Sequence, residues 1–187
     1  MSDRPDIDAL RELGENTTNV ANAWAGADDY LSQGLLVWTR RTIEDDRKHA
    51  VRAALAVCKL VAGTYPIGNE AQAPKQYIDT MLASIQRWVE NPSHSNHESV
   101  RSALDVTRQV HAWQAPDHIP HFWTLEAVDH ACLAVWSGER SSYIVPMDFA
   151  TCAARSVTCV FHVLTSSGQS EADAIQAVVD AVVGAAA

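Results

Sequence analysis

The chain has 187 residues and a formal net charge of −9, from 14 Lys and Arg against 23 Asp and Glu. Its 29 Ala, 47% hydrophobic residues and only 8 Gly and 7 Pro exclude disordered and collagen-like classes. The acidic balance also lacks the basic footprint that a phosphate backbone demands, so nucleic acid is not an expected partner.

The length suits one domain with an additional arm and is enough to bury a core without staples. Cys58, Cys132, Cys152 and Cys159 form neither a Cys-x-x-Cys pair nor a zinc-ribbon spacing. They read as reduced thiols of a cytoplasmic protein, each a small buried hydrophobe. Met1 to Asp6 is polar, with no apolar leader, and no apolar run reaches the ~18 residues of a membrane span.

In chain order, Asp6 to Leu13 predicts two helical turns ended by Gly14, after which Asn16 or Thr17 caps a second helix containing Val20, Ala23, Trp24 and Ala27. Gly34 predicts an interruption. Residues 1–34 therefore read as an N-terminal helical arm, and 35–187 as a single all-α domain. Leu35 to Trp38 open a helix or a helix pair. Ile43, Ala50, Val51, Ala54, Leu55, Cys58 and Val61 follow the helical period, with Glu44 and Lys48 placed to pair on the opposite face. Gly63, Tyr65-Pro66 and Gly68 end that helix.

Pro74 to Glu90 carries an unbroken apolar face of Tyr77, Ile78, Met81, Leu82, Ile85, Trp88 and Val89. Ser95 or Asn96 caps the next helix, which reaches Trp113. Pro116 and Pro120 mark a stiff loop before a helix from about His121 to Ser137, with Phe122, Leu125, Val128, Cys132 and Val135 as its stripe. Pro146 opens a long helix to Thr165, Ser166-Ser167-Gly168 breaks it, and Ser170 caps the last one. No segment alternates with period two, so no strand is predicted. The expected architecture is all-α: an up-and-down helical bundle or a short stack of antiparallel helical hairpins, with about six or seven helices.

Six of the eight His lie between residues 94 and 130. His118-x-x-His121 sits by the two prolines, and Glu126 and His130 share a helix face. Imidazole and carboxylate suit zinc, iron or manganese, so a metal-dependent helical-bundle enzyme using His111, His118, His121, Glu126 and His130 is one reading. The Glu-x-x-His helices of a di-iron bundle are missing. Surface and loop-packing imidazoles are the plainer alternative. Trp113, His118, His121, Phe122 and Trp123 also concentrate aromatic groups on a Pro-stiffened segment. Such a patch anchors a partner at little entropic cost, while the same rings equally fill a core at a helix corner. His162 follows Cys159 by three residues, but no third orienting group accompanies them. Glycine-rich phosphate loops and Gly-x-Ser-x-Gly are absent from the sequence.

From about Ala50 to Val163, several features recur together: Cys58 ahead of Tyr65-Pro66, Pro74-Lys75 leading to Arg87-Trp88, Val100-Arg101-Ser102-Ala103, Ala127, Ala131 and Ala134, then Ala153-Ala154-Arg155 and His162-Val163. This pattern resembles the all-helical family of immunity proteins of bacterial toxin systems. The family's Asp-x-Arg-Pro-Arg signature is replaced here by Ala71-Gln72-Ala73-Pro74-Lys75, so its charged site does not carry over. The resemblance implies an all-α fold that acts by binding another protein.

The expected function is thus a non-enzymatic protein-binding module that occludes a partner in the manner of an immunity or antitoxin factor. The partner would be a basic toxin, nuclease or protease component, with contacts at Trp113, His118, His121, Trp123 and Glu126. No catalytic residue and no cofactor is assigned, and neither a nucleic acid nor a membrane is an expected partner. The alternatives are a metal enzyme built on His118, His121, Glu126 and His130, or a small-molecule sensor with Trp and Met lining a central pocket.

Overall fold

The computed structural model describes residues 4–17, 29–43, 46–65, 75–110, 119–136 and 147–186, without the side chains of 108–110 and 119–121. Among the described residues the chain forms eight α-helices and no strand, one helix more than the upper expectation. They are α1 (Ile7–Glu15), α2 (Tyr30–Ile43), α3 (Arg47–Val61), α4 (Lys75–Glu90), α5 (His94–Val110), α6 (Ile119–Trp136), α7 (Phe149–Ser166) and α8 (Glu171–Gly184).

Helices α3, α6 and α7 form the centre. Helix α6 touches α3, α4, α5 and α7, while α7 touches α2, α3, α6 and α8. The α4–α5 hairpin lies against α6, and α1, α2 and α8 lie on the α7 side. Helix α6 is more deeply packed than one stripe predicts. Ala127, Val128, Ala131, Cys132, Leu133, Ala134 and Val135 are all buried, so from Ala127 onwards the helix is enclosed on every face. Small Ala side chains let four neighbours approach it. Helix α4 follows its sequence pattern closely: Ile78, Met81, Leu82, Ile85 and Trp88 are buried.

Local chemistry sets the boundaries. The Asp6 carboxylate accepts from the Ala9 N–H, Asp46 from Lys48 and His49, Asp148 from Thr151, and Ser170 Oγ from Asp173. Gly168, at φ 96°, ends α7, with the Gln169 N–H returning to the Leu164 carbonyl. The Asp46 cap splits the predicted 43–61 helix: Ile43 closes α2 and α3 begins at Arg47. Glu44 lies outside the described residues. Helix α5 starts at His94, before the predicted caps, because Ser93 Oγ accepts from the Asn96 N–H. Pro120 belongs to the first turn of α6 and not to a loop, since a first-turn residue needs no N–H. Asn16 closes α1, its amide donating to the Glu12 carbonyl, and Thr17 donates to Leu13. The helix predicted after them falls outside the described residues.

Gly34 does not interrupt a helix. It lies inside α2, buried, where the Leu10 carbonyl of α1 occupies the space a side chain would need. A Cβ on Gly34 would sit 1.8 Å from that oxygen, and one on Gly14 would sit 1.9 Å from the Tyr30 carbonyl. The two glycines bring the α1 and α2 backbones into direct contact and bury Leu10 completely. Arg11 then pairs with Glu171 at 2.7 Å, and Arg4 with Asp180, tying α1 to α8.

A Gly→Ala change inside a helix normally gains about 1 kcal/mol. Here Gly34→Ala is expected to cost ~2–3 kcal/mol in chemical denaturation, because it overpacks an interface formed by rigid backbone. Gly63→Ala, which meets nothing within 4 Å, is expected to change stability by less than about 1 kcal/mol. Equal effects at the two sites would contradict the close approach of α1 and α2.

Candidate functional site

Helices α6 and α7 run antiparallel, and a polar seam follows their contact. At one end the Trp123 ring lies 4.9 Å from His162, tilted by 31°, and packs edge-on against Phe122 at 5.0 Å. Next, Glu126 stands near enough to Cys159 to raise its pKa. One turn further, Asp129 and Arg155 act with opposite sign on both Cys152 and Cys159. Between these levels, Ser156 Oγ donates to the Ala127 carbonyl at 2.8 Å and lies 3.3 Å from Cys58 Sγ on α3. One hydroxyl thereby links all three central helices.

Asp129 and His130 are each only 3% exposed, and the His130 imidazole lies 3.6 Å from the Glu126 carboxylate. Glu126, Asp129 and His130 share one face of α6 through their i, i+3 and i+4 spacing. Buried ionisable groups on an otherwise apolar helix are costly to desolvate and are retained where neighbours compensate them.

The structure thus brings three sequence-predicted residues, Trp123, Glu126 and His130, onto α6. Trp123 is half-buried against the core rather than fully presented. Trp113 and His118, like His111, lie outside the described residues, as does the side chain of His121. Among the described residues, no group of three or more His, Cys, Asp or Glu is placed to hold a metal ion. Sequence reading missed Asp129, Arg155 and Ser156. The available signal was the Asp129-His130 pair set between Ala127-Val128 and Ala131-Cys132-Leu133.

All four thiols are buried and unpaired with one another. Burial pushes Cys58 up to about 12, against a lowering contribution from its Ser156 hydrogen bond. Burial likewise raises Cys152 to about 12, with Arg155 opposing and Asp148 and Asp129 adding to the rise. Cys159 is held well above the ordinary thiol range by burial first and Glu126 second. Protonated thiols of this kind are poor nucleophiles.

On the outer side of the bundle, α4 and α5 leave a solvent-open groove of about 660 Å³. Along it lie Tyr77, Thr80, Ser84 and Arg87 from α4, facing Ser95, Ser99, Ser102 and Val106 from α5, with Glu98 beside Ser95. The hairpin forms because only Asn91, Pro92 and Ser93 separate the two helices, and the Asn96 amide donates across to the Arg87 and Asn91 carbonyls at 3.3 and 2.9 Å. This groove was not anticipated, although Ser95, Ser99, Ser102 and Val106 recur at helical spacing. No family model, curated protein or solved structure matches the chain.

The raised thiol pKa values make a pH prediction. A group whose folded pKa lies above its unfolded value holds its proton longer in the native state, so its contribution is complete below the unfolded pKa. Stability is therefore expected to fall as pH rises from about 9 towards 12, the interval between the ordinary value and that of Cys58 and Cys152. Urea titrations across that range check it. Native-state labelling with a thiol reagent at pH 8 is expected to be at least ~100-fold slower than in the unfolded chain. Fast native labelling of any of these thiols would contradict their burial.

Proposed function

We propose that the chain is a non-enzymatic protein-binding module that occludes a partner protein in the manner of an immunity factor. The observation that carries this reading is the open α4–α5 groove, a concave surface presented by two helices that are themselves fixed on the core. Concave, preformed surfaces with a mixed polar and apolar lining suit recognition with little reorganisation. The chemistry of the thiols points the same way, because all four are buried and three are held well above the ordinary thiol pKa. The excess of acidic residues supplies long-range attraction for a basic partner and speeds encounter more than it tightens the final complex.

Immobilised chain is expected to retain one protein in stoichiometric amount from extracts of its source cells, and Ser102→Trp, which fills the groove from an exposed position, is expected to reduce retention at least ~10-fold. Circular dichroism of the variant verifies its fold. Retention of nothing by the wild-type chain, or stoichiometric zinc or iron in untreated protein that is lost on His130→Ala, would overturn the reading.

A further inference from the structure

We infer that the α4–α5 groove receives a single α-helix of the partner, about three turns long, carrying a carboxylate that reaches Arg87. This inference rests on the reading of the chain as a protein-binding module and specifies the occupant of its groove.

Three observations select a helix. First, three of the groove hydroxyls are already spent. Thr80 donates to the Gln76 carbonyl at 2.6 Å, Ser84 to Thr80 at 2.9 Å and Ser99 to Ser95 at 2.9 Å. A small polar ligand needs convergent donors, and these hydroxyl protons are already committed to their own helix. Second, the groove walls are helices whose backbone groups are paired internally, so an extended peptide finds no strand edge to join. A helix makes no such demand. Third, the floor side chains are short, which lets a helix axis approach closely, as in ridge-and-groove packing. From Ser95 to Val106 the groove spans eleven residue steps of α5, about 16 Å or three turns.

Charge and polarity orient the occupant. The Arg87 guanidinium donates to Ser84 Oγ at 2.9 Å, and among the described residues no carboxylate pairs with it. Glu98, across the groove, lies 3.9 Å from Arg101, which is also 3.7 Å from Asp105. Arg87 is therefore the cation of the groove lining without a carboxylate partner among the described residues, and its forked donors match a carboxylate. At the opposite end Val106 is 46% exposed beside Tyr77. An apolar side chain of the occupant seats there, three turns from its acidic residue.

The test uses a defined probe: a 16-residue Ala-rich helical peptide with one Leu and, eleven residues away, one Glu. A second peptide replaces Glu by Lys. Backbone amide shifts are followed by NMR in the full chain. Saturable shifts confined to α4 and α5 around Thr80, Ser84, Ser99 and Ser102 are expected, with the Glu peptide binding about fivefold tighter than the Lys peptide. Arg87→Glu, an exposed substitution, is expected to invert that order. Equal affinities, shifts centred on other helices, or no saturation at millimolar peptide would overturn the assignment. Concentration-dependent shifts of the same amides without peptide would also overturn it, by showing a second copy in the groove. If the peptide fails while Ser102→Trp still lowers retention of a cellular partner, the groove stands as the binding surface and only this occupant falls.

Discussion

The enclosure of α6 is the constraint on which the rest of the structure depends. From Ala127 to Trp136 a helix surrounded by α3, α4, α5 and α7 has no face to give to solvent, so the polar groups buried there depend on protein neighbours. Ser156 shows the consequence: its hydroxyl meets the Ala127 carbonyl and the Cys58 thiol at once, and so fixes α7 against α6 and α3. Asp129 and His130, at 3% exposure, hold the same helix to one register, because a shift by one residue would carry both polar side chains into apolar packing.

With the centre fixed, the outer elements divide in two. On the α7 side, α1 and α2 meet backbone to backbone through Gly14 and Gly34, and α8 closes over α3. On the α6 side, the α4–α5 hairpin buries one face against the core and leaves the other open. The most polar long helix, α5, consequently forms one wall of the groove, and α4 forms the other. The groove thus sits on a rigid support, away from the buried thiols and the α6–α7 seam.

Much of this was legible in the sequence. The α4 face of Ile78, Met81, Ile85 and Trp88 has a clear period, and Ser170 with Asp173 announces the start of α8, because both signals are local. Gly34 was misleading for a physical reason. Glycine is read as a breaker from its own propensity, whereas here its missing side chain serves a contact with Leu10, twenty-four residues away. Pro120 and Ser93 differ from expectation by a turn or less, the scale on which first-turn chemistry decides a boundary. The α6–α7 seam was half-visible: Glu126 and His130 announce themselves by spacing, but Asp129, Arg155 and Ser156 acquire meaning only when two helices pair. The groove was not legible, since four small or exposed residues on a polar face look the same whether they line a concavity or open water.

The central claim is that another protein meets this chain on its α4–α5 surface. Site-specific photo-crosslinking in the source cells tests it most directly, with the photoreactive residue placed in turn at Ser99, Ser102 and, on the far side of the bundle, Glu12. The account predicts crosslinks from Ser99 and Ser102 to one and the same protein, at partner residues spaced three or four apart, and none from Glu12. Crosslinks to that protein from Glu12 alone, or no crosslink from the groove, would contradict it.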